Sequence, residues 1–225
     1  FMKQLVLSIL FIVASAFTGF SHNSKDISNN VADQVSYIST QYNINHEAVQ
    51  LALNGYQKLR NLGKLVNVQY LTIADFSKPS NEERLFIIDM NIMQVVVKSL
   101  VAHGRNSGVK MANQFSNRYA SFQSSLGFYI TGGIYKGKHG ASLELEGIEK
   151  GINDQAKDRA IVIHGADYVS NKLIQQQGYI GRSLGCPAVP NNQVAQIINT
   201  IKGASCLFVY APTNQYINQS QLVKN

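Results

Sequence analysis

The sequence predicts a mainly β domain, a β-sandwich or barrel-like fold, carrying an N-terminal helical hairpin and one late helix. Three observations lead there. Before residue 63, apolar residues recur every three or four positions, the period of a helix face. From about residue 65 the texture changes to short β-branched and aromatic runs separated by Gly, Pro and Asn turns. Two of these runs, 160–164 and 206–210, are uniformly apolar, as expected of central strands.

Taken in order, Ile27, Val31, Val35, Ile38 and Tyr42 form the stripe of a first helix. Asn45 is placed to cap a second, with Glu47 in its first turn, Ala48, Leu51, Ala52, Tyr56, Leu59 and Leu62 on its apolar face, and Gly63 at its stop position. Strands follow at 66–74, 85–89 and 92–101, with Lys78-Pro79-Ser80-Asn81 and Asp89-Met90-Asn91 as the turns between them. Runs 127–131 and 134–135 flank Gly132-Gly133, which predicts a hairpin turn there. Ser142-Leu143-Glu144-Leu145-Glu146 alternates strictly, a half-buried strand with the leucines inward. Pro190 opens the late helix, whose face is Val194, Ile197, Ile198 and Ile201, and Gly203 closes it. Many short strands and a single late helix argue against a parallel α/β sheet.

The chain of 225 residues is 45% hydrophobic and 15% charged, enough for a packed core in one large domain with a helical appendage. Lys3, the apolar run from Leu5 to Phe17 and Ala14-Ser15-Ala16 have the order of a secretory signal, placed at 1–16. The run falls short of the roughly 20 apolar residues a spanning helix needs. The expected product is an exported protein, in the periplasm or cell envelope, with no stable membrane insertion. Residues 17–26 form a flexible lead-in, 27–63 the hairpin and 64–225 the main domain. Formal net charge is +7, but the basic residues are scattered and not interleaved with aromatics, which argues against nucleic acid. The anionic bacterial envelope is the more natural partner for an exported chain. Oligomeric state is not legible.

Chemistry concentrates in Arg182-Ser183-Leu184-Gly185-Cys186-Pro187-Ala188 and in Ile161-Val162-Ile163-His164-Gly165. A cysteine in a glycine turn, with a histidine ending an upstream strand, is the raw material of a thiolate nucleophile and its base. Gly185 lets substrate approach the backbone, and the amides of Gly185 and Cys186 can point at a developing oxyanion. Ser183 can bond within the loop or to substrate, and Arg182 can clamp a carboxylate. His103 and His139, both followed by Gly, compete with His164, while Arg159 reads as structural and His22 and His46 lie outside the β domain. Cys186 and Cys206 are expected as free thiols; their pairing in a disulfide is the bland alternative. No metal-ligand spacing is present.

His164-Gly165 followed by Ser183-x-Gly185-Cys186 resembles the signature of the YkuD-type L,D-transpeptidases, exported cysteine enzymes that cross-link or trim bacterial peptidoglycan. The similarity is greatest to the branch of murein L,D-transpeptidase catalytic-domain proteins. It runs along most of residues 64–212, including Val101-Ala102-His103-Gly104, Phe115-Ser116-Asn117, Ser124-Ser125-Leu126-Gly127-Phe128-Tyr129 and Gly181 to Val189. The resemblance implies that 64–225 is a catalytic domain, with Cys186 as nucleophile and His164 as its base. It further implies that the Gly165 carbonyl orients the imidazole and that Gly185 and Cys186 form the oxyanion hole. The substrate implied is the peptidoglycan stem peptide, and no metal or organic cofactor is required. Many relatives carry a second His where this chain has Leu184, and an Arg or Asn where Pro187-Ala188-Val189 stands. Two alternatives remain: a non-catalytic wall-binding module with a structural cysteine, and a sortase-like transpeptidase, which would want a cationic residue after the cysteine.

Overall fold

The computed structural model describes residues 30–137 and 140–224; the expected signal and lead-in, with His22 and His139, lie outside the described residues. Helices α1 (Val31–Tyr42) and α2 (His46–Asn61) form the hairpin. Asn30 and Asn45 cap them through their side chains, which accept from the Ala32 and Ala48 amides. Asn43, at φ 53°, makes the turn between the two. Val31 is exposed and not part of the packed stripe, which begins at Val35.

Eight strands follow: β1 (Tyr70–Asp75), β2 (Leu85–Asp89), β3 (Gln94–Ser99), β4 (Gly127–Gly137), β5 (Gly140–Gly147), β6 (Val162–Gly165), β7 (Ala188–Val189) and β8 (Cys206–Tyr210). They form one sheet in the order β3-β2-β1-β8-β4-β5-β6-β7, with β1/β8 and β6/β7 parallel and the other pairs antiparallel. Ala102, three residues past β3, bridges Ala188 of β7, so the two ends of the sheet meet in a nearly closed barrel. Closure satisfies strand edges that would otherwise be left bare.

The uniformly apolar 206–210 run is explained by β8's place between β1 and β4, with both faces covered. On one face Phe208 stacks on Phe128 at 4.3 Å between ring centroids, and the Phe128 ring fills the space where a Cβ on Gly55 of α2 would lie. Tyr210 donates to Glu47 of the same helix. Helix α4 (Asn191–Ile201) buries Ile197, Ile198 and Ile201 and packs against β1, β5 and β6. β5 alternates as expected, with Leu143 and Leu145 buried and Glu144 and Glu146 exposed.

Three expectations are corrected. Gly132-Gly133 is not a hairpin turn: β4 runs through it, and the register with β5 shifts between Thr131 and Ile134 as at a bulge. The side chain of Glu144 occupies the space beside Gly132, and the carbonyls of Thr131 and Gly132 receive the Ala204 and Gly203 amides, so the glycines serve close packing. β1 starts at Tyr70, not Val66, which is 82% exposed in the connection from α2. Two short helices accompany the late one: α3 (Asn171–Gln177), with no buried residue, and α5 (Asn214–Gln219), which buries only Tyr216. Neither has the apolar stripe that betrays a helix in sequence. Among the described residues, no helix is long and apolar enough to cross a membrane.

Candidate active site

The loop that leads into β7 is held from both sides by backbone. Ser183 donates its amide to the His103 carbonyl at 2.9 Å and accepts the Arg105 amide at 2.8 Å, so the segment after β3 pairs with it as a short parallel strand. Inside the loop, the Ser183 hydroxyl donates to the Cys186 carbonyl at 2.7 Å and accepts from the Gly185 amide at 3.0 Å. Ser183 is therefore an internal staple. Gly185 has φ 127°, and a Cβ there would lie 2.9 Å from the Gln123 carbonyl, so both conformation and space require glycine. Pro187 lies inside the barrel with Phe76, Tyr129 and Val209, whereas Leu184 is 58% exposed beside the cysteine.

Cys186 is half-buried, and its thiol donates to the Ala160 carbonyl at 3.6 Å. Burial pushes the thiol above its ordinary range, opposed by the Val162 amide, the Arg159 guanidinium and its own N–H. The resting group is a thiol at neutral pH. Both cysteines are free; Cys206 sits in the core strand β8, its thiol pushed far up by burial. The two are not bridged in this structure.

His164 pairs with Ala188 across the parallel β6/β7 ladder, which sets Cys186 beside Val162, one strand repeat from the histidine. Its Nδ1 lies 2.9 Å from the Gly165 carbonyl. A carbonyl only accepts, so Nδ1 is the donor of this bond. The ring is 3% exposed.

The competitor His103 is placed differently. It is fully buried, its Nδ1 takes a hydrogen bond from Arg84 Nη2 at 2.7 Å, and its Nε2 donates to the Gly108 carbonyl at 3.2 Å. Burial, then the Arg84 charge, lowers its pKa to about 4. Both nitrogens are committed, so His103 is a brace. Arg84, which the sequence did not single out, is fully buried without a carboxylate in its bonds; it donates to the Val101 and Lys78 carbonyls and lies over the Phe76 ring at 4.7 Å. Burial brings its pKa down to about 9, so it stays cationic at neutrality. Only the packed structure identifies it, since a lone Arg before a strand carries no signal.

Arg182 is exposed and reaches the Arg105 and Gly108 carbonyls at 3.4 and 3.3 Å. His46 is exposed at the start of α2. Tyr168 joins the site unannounced: its pKa is raised to about 12, first by burial and then by Cys186. A cleft of about 600 Å³ opens past the C-terminal ends of β6 and β7, lined by Ala166, Asp167, Pro190 and Asn191 among others. It adjoins Gly165 and does not include the thiol. Among the described residues, no three His, Cys, Asp or Glu side chains converge as a metal-holding group.

The loop thus presents a free thiol at a strand entrance, and the neighbouring strand carries a histidine held by the carbonyl that follows it. The profile of the L,D-transpeptidase catalytic domain, YkuD_2, matches residues 40–210, and the chain belongs to that family. Among solved structures it is similar to an L,D-transpeptidase from Mycobacterium smegmatis, at 13% identity and TM-score 0.39, covering 64% of this chain and 59% of that one. It is also similar to an L,D-transpeptidase from Xylanimonas cellulosilytica, at 13% identity and TM-score 0.38, covering 68% of each chain. A third is the helical cell shape determining protein Pgp2 from Campylobacter jejuni, at 14% identity and TM-score 0.41, covering 72% of this chain and 57% of that one. The chain thus spans about three-fifths of the first of these. No curated protein matches.

Proposed function

We propose that the protein is an exported cysteine L,D-transpeptidase that acts on peptidoglycan tetrapeptide stems. The observation that carries this reading is the His164 Nδ1 bond to the Gly165 carbonyl, on the strand parallel to the one that the Cys186 loop enters. It leaves Nε2 as the basic nitrogen. Because burial keeps the resting sulfur protonated, the thiol gives its proton to His164 as it attacks the carbonyl at the L-centre next to the terminal D-Ala. The oxyanion forms beside the amides of Gly185 and Cys186; Gly185 serves by exchanging its bond to Ser183 Oγ for the substrate oxygen. His164 then protonates the departing D-alanine amine. An amine of a neighbouring stem resolves the acyl-enzyme into a cross-link, and water resolves it into a trimmed stem. Leu184 offers an apolar contact at the thiol, and Arg182, with donors beyond its loop bonds, offers a site for a stem carboxylate.

Cys186→Ala should abolish the covalent adduct that a carbapenem, an acyl mimic, forms with the wild-type chain, read by intact mass. An adduct that persists at full yield moves the nucleophile elsewhere. Incubation with defined tetrapeptide muropeptides then separates outcomes by mass, a dimer marking transfer and loss of D-alanine alone marking hydrolysis.

A further inference from the structure

Arg159 has no task in the reaction described above, yet it adjoins the loop that carries the thiol. It immediately precedes Ala160, whose carbonyl holds the Cys186 thiol. Its guanidinium is half-buried and donates to the Ser116 and Gln123 carbonyls and to the Ser121 and Ser125 hydroxyls. Every one of those acceptors is neutral. Nη2 also packs against the backbone before the nucleophile, 3.2 Å from where a Cβ on Gly185 would sit.

A guanidinium that spends its donors on neutral oxygens keeps its full charge, and in a partly dry site that charge acts over several ångströms with little screening. The groups facing the thiol can be named. Tyr168 comes from the segment after β6 and Arg159 from the turn before it; His164 stands on β6 across the ladder from the strand that the loop enters, and Arg182 on the loop itself turns away to the Arg105 and Gly108 carbonyls. Tyr168, neutral below about pH 12, supplies no cation. Arg159 is then the permanent positive charge that faces the sulfur.

We propose that Arg159 is a positioning residue of this site: it braces the 116–125 loop against Gly185 and turns an uncompensated positive charge toward the Cys186 sulfur. It does so from before the histidine strand, not from a position after the cysteine. The inference rests on Cys186 being the reactive thiol and is independent of which acyl substrate it takes. Burial and charge oppose each other at this sulfur, so removing the charge leaves burial unanswered and the thiol harder to ionise.

The test is the pH profile of iodoacetamide alkylation at Cys186, followed by peptide mass on the full chain. Arg159→Gln and Arg159→Met should each move the midpoint upward by about one pH unit. Arg159→Lys should keep the midpoint near wild type while slowing carbapenem acylation, since it holds the charge and loses the fork. Two neutral variants guard against one that fails to fold, and thermal unfolding checks each. An unshifted midpoint in a folded neutral variant, or a shift in Arg159→Lys as large as in the neutral pair, overturns the proposal. If wild-type Cys186 resists alkylation at every pH, the nucleophile reading itself falls and takes this one with it.

Discussion

Two histidines in this chain, His103 and His164, are each followed by glycine and each lie in a short β segment, yet their surroundings are opposite. His103 is sealed between Arg84 and the Gly108 carbonyl, and its backbone carbonyl receives Ser183. His164 gives its Nδ1 proton to the neighbouring carbonyl of Gly165 and stands across the ladder from the strand that the cysteine loop enters. The lesson is that the partners of the ring nitrogens, more than burial, distinguish the brace His103 from the proposed base His164: both rings are nearly inaccessible. The Arg84 cation at Nδ1 adds to burial in suppressing protonation of His103.

The contrast is most exposed to His164→Ala. This variant should lose carbapenem acylation by about 10²–10⁴-fold near neutral pH while unfolding within about 1 kcal/mol of wild type. A full acylation rate would end the assignment of His164 as base. His103→Ala should do the reverse, costing about 2–4 kcal/mol in denaturant unfolding because it strips partners from the buried Arg84 and the Gly108 carbonyl. Its folded fraction should still be acylated. A loss of activity without a loss of stability would erase the distinction.

Acid sharpens the comparison. His103 has its pKa lowered from 6.5 to about 4, so the unfolded chain binds the proton more tightly. Stability from this group is therefore complete above pH 6.5 and is lost as pH falls through about 4, by roughly 3 kcal/mol at most. Unfolding titrations of wild type and His103→Gln between pH 7 and 4 should diverge less as pH drops; a constant gap would count against a buried neutral ring. The smallest effect expected is from Ser183→Ala. Losing the staple between Gly185 N–H and the Cys186 carbonyl should slow acylation by about 10-fold, at a cost of about 1 kcal/mol to stability.

The candidate site residues Cys186, His164 and Gly185 could be picked out in the sequence because a thiol in a glycine turn and a histidine at a strand end are local patterns; the structure places the first and third just before β7 and the second on its partner β6. Arg159 and Tyr168 could not, since their importance lies in what folds against them: one reaches a loop that is distant in sequence, and the other nears the thiol only after the chain returns through Gly181. The strands at 85–89 and 206–210 and the capped hairpin were equally plain, as periodicity and cap residues fix them within a few positions. Gly132-Gly133 misled for a related reason. A glycine pair serves a tight turn or a close approach equally well, and only Glu144 and the 203–204 backbone beside it decide between them.

By itself, then, the sequence determined the β texture, the helical hairpin, the order His then Cys, and a glycine loop able to present a thiol. These follow from side-chain periodicity and backbone allowance, which act over a few residues. The tertiary structure decided the rest: that the sheet closes through Ala102 and Ala188, that His103 is a brace, that Pro187 fills the barrel while Leu184 faces out, and that the half-buried Arg159 ties the 116–125 loop to the backbone at Gly185. Those outcomes depend on burial and on charges brought together from distant parts of the chain. Desolvation and Coulomb energies come into being only when the sheet has closed around them.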